Sequence, residues 1–215
     1  MSRGLGDVYK RQTFVSCFGY IAFARMVSGM GTTIFAAHSI AITAEQIVYI
    51  PGYGLRVATS TLVGNALGEK DIRKLKATER VSILITLLIM VVNGIGLYLF
   101  AYPFMRLFTN SVNAARIGSE MLRLVSFSEP FFGLMIVLEG ISYGMGRTKH
   151  VFACEAVSMW GIRIFGTFLC VNVFGLGLKA VWLCMIADNI CKAILLYIFR
   201  PKHVEENADD RGALR

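Results

Sequence analysis

The chain has 215 residues, of which 55% are hydrophobic and 17% charged, with a mean hydropathy of +0.60. That is too few charges and too much apolar side chain for an ordinary soluble globule. Twenty-two Lys and Arg against fourteen Asp and Glu leave a net charge of +8, which in so apolar a chain implies loops against an anionic membrane face rather than a nucleic-acid site. Six spans of ~20 residues plus loops use up the length and leave no room for a second sizeable soluble domain.

Residues 1–12 read MSRGLGDVYKRQ and lack the apolar core and cleavage site of a signal peptide. Asp7–Gln12 resembles a translated transposon end from a sequencing library. The segment is expected to be such an artefact or a short cytoplasmic stub. From there the fold class expected is all-α, a polytopic membrane bundle of six helices over residues 13–200. The first span is Thr13–Gly31. The second, Phe35–Ala66, is too long for one straight crossing, and its Pro51, Gly52 and Gly54 predict a bend or break in mid-membrane. The third, Val81–Phe100, holds no charge and is the clearest. The fourth, Ala114–Gly144, contains Glu129-Pro130; the fifth and sixth are Val151–Val173 and Leu178–Phe199. All read as apolar around their circumference, as lipid-facing helices do, and none has the short alternation of barrel strands. Residues 201–215 mix charges and are expected to form a disordered tail.

Basic residues set the expected orientation. Lys70, Arg73, Lys74 and Lys76 follow the second span, Arg147 and Lys149 follow the fourth, and Arg200 and Lys202 follow the sixth. With six crossings this puts both termini in the cytoplasm of a cell-membrane protein. The five cysteines lie in apolar stretches without C-x-x-C spacing, and the histidines have no metal spacing, so neither a metal nor another cofactor is expected.

Charges inside spans cost a few kcal/mol each and need water or a partner. Glu45, Glu129 and Glu139 are therefore the candidates for an ion- or proton-coupling site. Tyr49 stands four residues after Glu45, on the same helix face and within reach of a hydrogen bond. Burial disfavours a charged carboxylate and a nearby cation favours it, so such a group can exchange a proton for a cation, the physical minimum of an ion-coupled antiporter. Asp188 and Lys192, acid first at i,i+4, are expected to form a structural ion pair. Arg25, Arg56 and Arg163 are expected to pair with carboxylates or helix ends. Tyr49, Tyr53, Phe131 and Met135 are candidate walls of a substrate cavity, because aromatic faces suit organic cations and Met adapts to varied shapes. Phe132 and Tyr143 stand among them. A membrane-embedded enzyme would need a nucleophile–base pair or a metal cluster, and no such spacing is present.

FAAHSIAITAEQIVYIPGYGLRVATSTLVGNALG, residues 35–68, followed by Glu69-Lys70-Asp71, resembles the eighth helix and following loop of multidrug and toxic compound extrusion (MATE) transporters. Glu139–Thr148 resembles the end of that family's tenth helix, Trp160–Arg163 its W-x-I-R segment, and Trp182 with Asp188, Asn189 and Lys192 its last helix. The resemblance implies the carboxyl-terminal half, helices seven to twelve, of an antiporter. Such a protein exports organic cations or drugs in exchange for protons or sodium, and an amino-terminal six-helix half would complete it. It also implies Glu45 as the leading coupling residue. The chain departs from the family in having no Asp or Glu in Thr13–Gly31 and Phe165 where a proline is usual. The alternative within the superfamily is a flippase of lipid-linked oligosaccharides, which would show more basic residues in cavity-lining spans.

Overall fold

The computed structural model describes residues 17–199; residues 1–12, the tail 201–215 and the first residues of the first span lie outside them. Among the described residues the chain is helical, with no strand. Helix α1 covers Cys17–Ser28. Helices α2, Thr32–Gly68, and α3, Ile72–Phe108, follow at 37 residues each. At 1.5 Å per residue each reaches ~55 Å, well beyond a ~30 Å hydrocarbon layer. The expected loop around Lys70–Lys76 is therefore only a turn. Lys70 takes a left-handed φ of 57°, and Asp71 caps α3 by accepting from the Lys74 backbone N–H at 3.0 Å.

The bend or break expected at Pro51, Gly52 and Gly54 is not an interruption. Helix α2 continues through it with Pro51 inside. Proline removes one backbone donor and crowds the preceding turn. Here the Asn93 side-chain amide of α3 donates to the Val48 carbonyl at 3.1 Å, binding the weakened turn to its neighbour. Gly52 is used for packing, with the Met90 sulfur and the Phe132 ring close to where a Cβ would stand.

The interruption falls in the fourth span instead. Helices α4, Val112–Ser126, and α5, Glu129–Gly144, meet at 61°. Pro130 sits in the first turn of α5, where a missing N–H is tolerated, and a helix continuing from α4 would have needed it. The Ser128 N–H turns back to the Val125 carbonyl at 2.7 Å. Nor is α4 apolar all round. Arg116, Glu120 and Arg123 share an exposed face, while Ala115, Met121, Leu122 and Val125 are buried. Helix α6, Thr148–Val173, contains two π-helical stretches, Met159–Ile164 and Leu169–Val173. Helix α7, Leu178–Ile198, ends the described bundle.

By length and composition α2, α3, α6 and α7 can each cross a membrane, five crossings if the bent α4–α5 pair is one span; the described part of the first expected span, α1, is a shorter apolar helix. One buried cluster surrounds Trp182, Leu122 and Met105, and the other surrounds Phe132, Met90 and Ile136. The indole N–H of Trp182 donates to His38 Nδ1 at 3.2 Å, so a buried polar pair from α7 and α2 is satisfied inside the first cluster.

Candidate functional site

Five helices line one cavity of about 370 Å³, α1 through Tyr20 and Phe23. From α2 come Glu45, Tyr49, Tyr53 and Arg56, and from α5 come Phe132, Met135, Glu139 and Tyr143. Steps of three and four residues put each set on one helix face. Helix α7 adds Met185, Asn189 and Lys192, and α6 adds Arg163. The lining is both aromatic and charged, with carboxylates and cations on facing helices.

Glu45 is 4% exposed, and the Tyr49 hydroxyl donates to its Oε1 at 2.5 Å. The Tyr49 ring stacks on Phe132 with centroids 3.7 Å apart and planes 14° apart, and Tyr53 meets the same ring edge-on at 6.2 Å. The donor to Glu45 is thus held by packing from α5, which fixes the direction of its hydrogen bond. Lower in the cavity, Arg56 Nη1 contacts Glu139 Oε2 at 3.0 Å. Its guanidinium carbon lies 5.1 Å from the Tyr53 ring centroid and 5.9 Å from that of Tyr143, close enough for cation–π attraction.

The third polar group is on α6 and α7. Asp188 is fully buried. Its Oδ2 lies 2.9 Å from Arg163 Nε and 3.2 Å from Lys192 Nζ, and its Oδ1 accepts from the Ser158 hydroxyl at 2.5 Å. The expected Asp188–Lys192 pair is therefore present but shared with Arg163. The π-helical stretch Met159–Ile164 turns Arg163 inward, leaving it 9% exposed, while Trp160 stays 40% exposed.

Of the candidates read from sequence, Glu45, Glu139, Tyr49, Tyr53 and Met135 meet at the cavity. Two do not line it. Phe131 points outward at 46% exposure, and its neighbour Phe132 takes the wall. Glu129 is fully buried at the α4–α5 break with its Cβ and Cγ against Gly94 of α3. Neither of its carboxyl oxygens has a hydrogen-bond partner among the described residues. Sequence reasoning assigned Arg163, Asn189 and Lys192 no place in the cavity. The i,i+3/i,i+4 spacing of Met185, Asn189 and Lys192 is the signal that marks their common face. Among the described residues no group of three His, Cys, Asp or Glu side chains is placed to hold a metal.

Residues 12–169 match the family model described as MatE. A curated relative from Thermotoga maritima, described as "Probable multidrug resistance protein NorM", is 30% identical over 190 residues, 87% of this chain and 40% of that protein. Among solved structures, a MOP superfamily transporter from Pyrococcus furiosus superposes with a TM-score of 0.80 at 19% identity, covering 90% of this chain and 44% of that one. The eukaryotic MATE transporter AtDTX14 does so with a TM-score of 0.80 at 21% identity, covering 97% and 49%. The structural likenesses concern the fold. The chain spans about 40% of the length of the curated relative.

Proposed function

The chain belongs to the MatE family, and on that premise we propose that it is the carboxyl-terminal six-helix lobe of a secondary antiporter that exports organic cations or drugs in exchange for protons or sodium ions. The observation that carries the reading is Glu45. It is a buried carboxylate on the wall of an aromatic cavity, hydrogen-bonded by Tyr49. A buried carboxylate with one neutral donor and water on its open side can hold a proton or stand opposite a cation, but not both at full strength. Competition at that one group is what couples uphill export to a downhill ion. Tyr49, Tyr53, Phe132 and Met135 supply a surface that accepts cations of varied shape.

The Arg56–Glu139 pair closes the cavity on the side of the Glu69–Asp71 turn. Substrate passing that way has to part the pair, so it acts as a gate. Glu129, buried at the α4–α5 break without a hydrogen-bond partner among the described residues, is the second coupling candidate. The basic residues flanking Gly68–Ile72 and Gly144–Thr148 face the cytoplasm on this reading, together with both ends of the chain. An amino-terminal lobe supplies the other wall of the transport path, as alternating access requires two bodies around a site.

The test is substrate-driven proton or sodium movement in vesicles holding this chain with an amino-terminal lobe. Adding an organic cation should release the coupling ion from wild type and not from Glu45→Gln, with both proteins present at equal levels. Equal ion release from both would reject Glu45 as the coupling group.

A further inference from the structure

We propose that Cys170 and Cys184 form a reversible disulfide that staples α6 to α7. Their sulfurs stand 3.8 Å apart, in contact across the two helices, and both side chains are half-buried thiols. The surrounding backbone favours the approach. Cys170 lies in the terminal π-helical stretch of α6, and the Leu176 N–H folds back onto its carbonyl at 2.7 Å. One turn earlier, Gly166 leaves space over Cys184, where a Cβ would stand 3.4 Å from the sulfur. A disulfide requires the sulfurs to close to ~2.05 Å. Both side chains are only half-buried, so rotation about their Cα–Cβ bonds is the movement this requires.

The pair also has a place in the cavity's architecture. Cys170 is seven residues after Arg163 on α6, and Cys184 is four residues before Asp188 on α7. Each cysteine thus lies on the helix face that carries the Arg163–Asp188 ion pair. A bridge there limits sliding of α6 against α7, the two helices that bring Arg163 and Lys192 to the cavity. The bridge lies at the end of the bundle opposite the basic turns, the side on which disulfides persist if the orientation proposed above holds.

The chemistry is thiol–disulfide exchange with a disulfide oxidant. One cysteine thiolate attacks a sulfur of the oxidant, forming a mixed disulfide and expelling one oxidant thiolate. The second cysteine thiolate then attacks the protein sulfur, forming the Cys170–Cys184 bond and expelling the other. Two protein thiols are oxidised by two electrons, one oxidant disulfide is reduced to two thiols, and the two cysteine protons pass to the leaving thiolates.

The experiment treats the purified full chain with oxidised glutathione, labels free thiols with a maleimide, and maps cross-linked peptides by mass spectrometry. Wild type should lose two of its labelled thiols, yield a cross-link joining Cys170 to Cys184, and recover both labels after dithiothreitol. C170S and C184S should each lose the cross-link. A C17S/C154S/C191S variant, which keeps only the pair, should still form it, giving a readout should a single replacement misfold. Retention of all labels, glutathione adducts without a bridge, or a cross-link between other cysteines would overturn the proposal.

Discussion

Asp188 carries two cations on one fully buried carboxylate, and that imbalance decides what its loss would do. Removing one partner of a buried ion group leaves uncompensated charge and costs ~3–5 kcal/mol. Asp188→Asn should therefore lower the thermal midpoint in detergent far more than Lys192→Gln, which leaves the Arg163 pairing in place. Comparable losses for the two would contradict the shared arrangement. Tyr49 acts on Glu45 through one hydrogen bond, and bonds to charged groups are worth ~1.5–3 kcal/mol. Tyr49→Phe should thus weaken ion-coupled efflux about tenfold or more while leaving expression unchanged; wild-type efflux would show that the bond is dispensable. Residue-level legibility followed sequence distance. Glu45–Tyr49 and Asp188–Lys192 stand at i,i+4, so helix geometry alone brings them together. Arg163–Asp188 and Arg56–Glu139 cross between helices, and no local rule says which of several buried charges meet. Glu129 looked like a cavity acid because it stands in an apolar span beside Pro130. Its actual position depends on a helix bend whose direction the residues do not encode locally.

At the scale of elements, two proline sites had opposite outcomes. Pro51 lies deep inside α2, where the Asn93 amide from α3 binds the adjacent turn. Pro130 lies in a first turn, where the chain can restart a helix in a new direction. The sequence shows both prolines but not the donor from another helix that rescues one. Glycine contacts separate in the same way. A Cβ on Gly140 would stand 2.7 Å from the Arg56 carbonyl, and one on Gly144 2.6 Å from that of Ser60. These two, spaced G-x-x-x-G, let α5 press against the backbone of α2. Gly96 has nothing within 4 Å of the same position. Gly140→Ala and Gly144→Ala should each cost ~1–3 kcal/mol by overpacking, whereas Gly96→Ala should change the thermal midpoint little. An unchanged midpoint in Gly140→Ala would mean that α2 and α5 are not so close. The long apolar helices were legible because lipid-facing helices need ~20 apolar residues whatever their partners. The amphipathic character of α4 was not, because a window spanning the bend averages it with apolar α5.

At the scale of the molecule, the chain is a multi-pass membrane protein of the MatE family, and the orientation proposed for it rests on charge. Lys74→Cys, in a background without other cysteines, should resist impermeant thiol reagents in intact cells and react after permeabilisation. Labelling from outside would invert the proposed topology. The cavity is formed by α1, α2, α5, α6 and α7, yet carrying a substrate across the membrane needs a second body. The most direct measurement is gradient-driven export of a fluorescent organic cation from vesicles holding the chain alone, or together with an amino-terminal six-helix lobe. The account predicts export only when both lobes are present, and its loss on Glu45→Gln. Export at two-lobe rates by the chain alone as a monomer would contradict it.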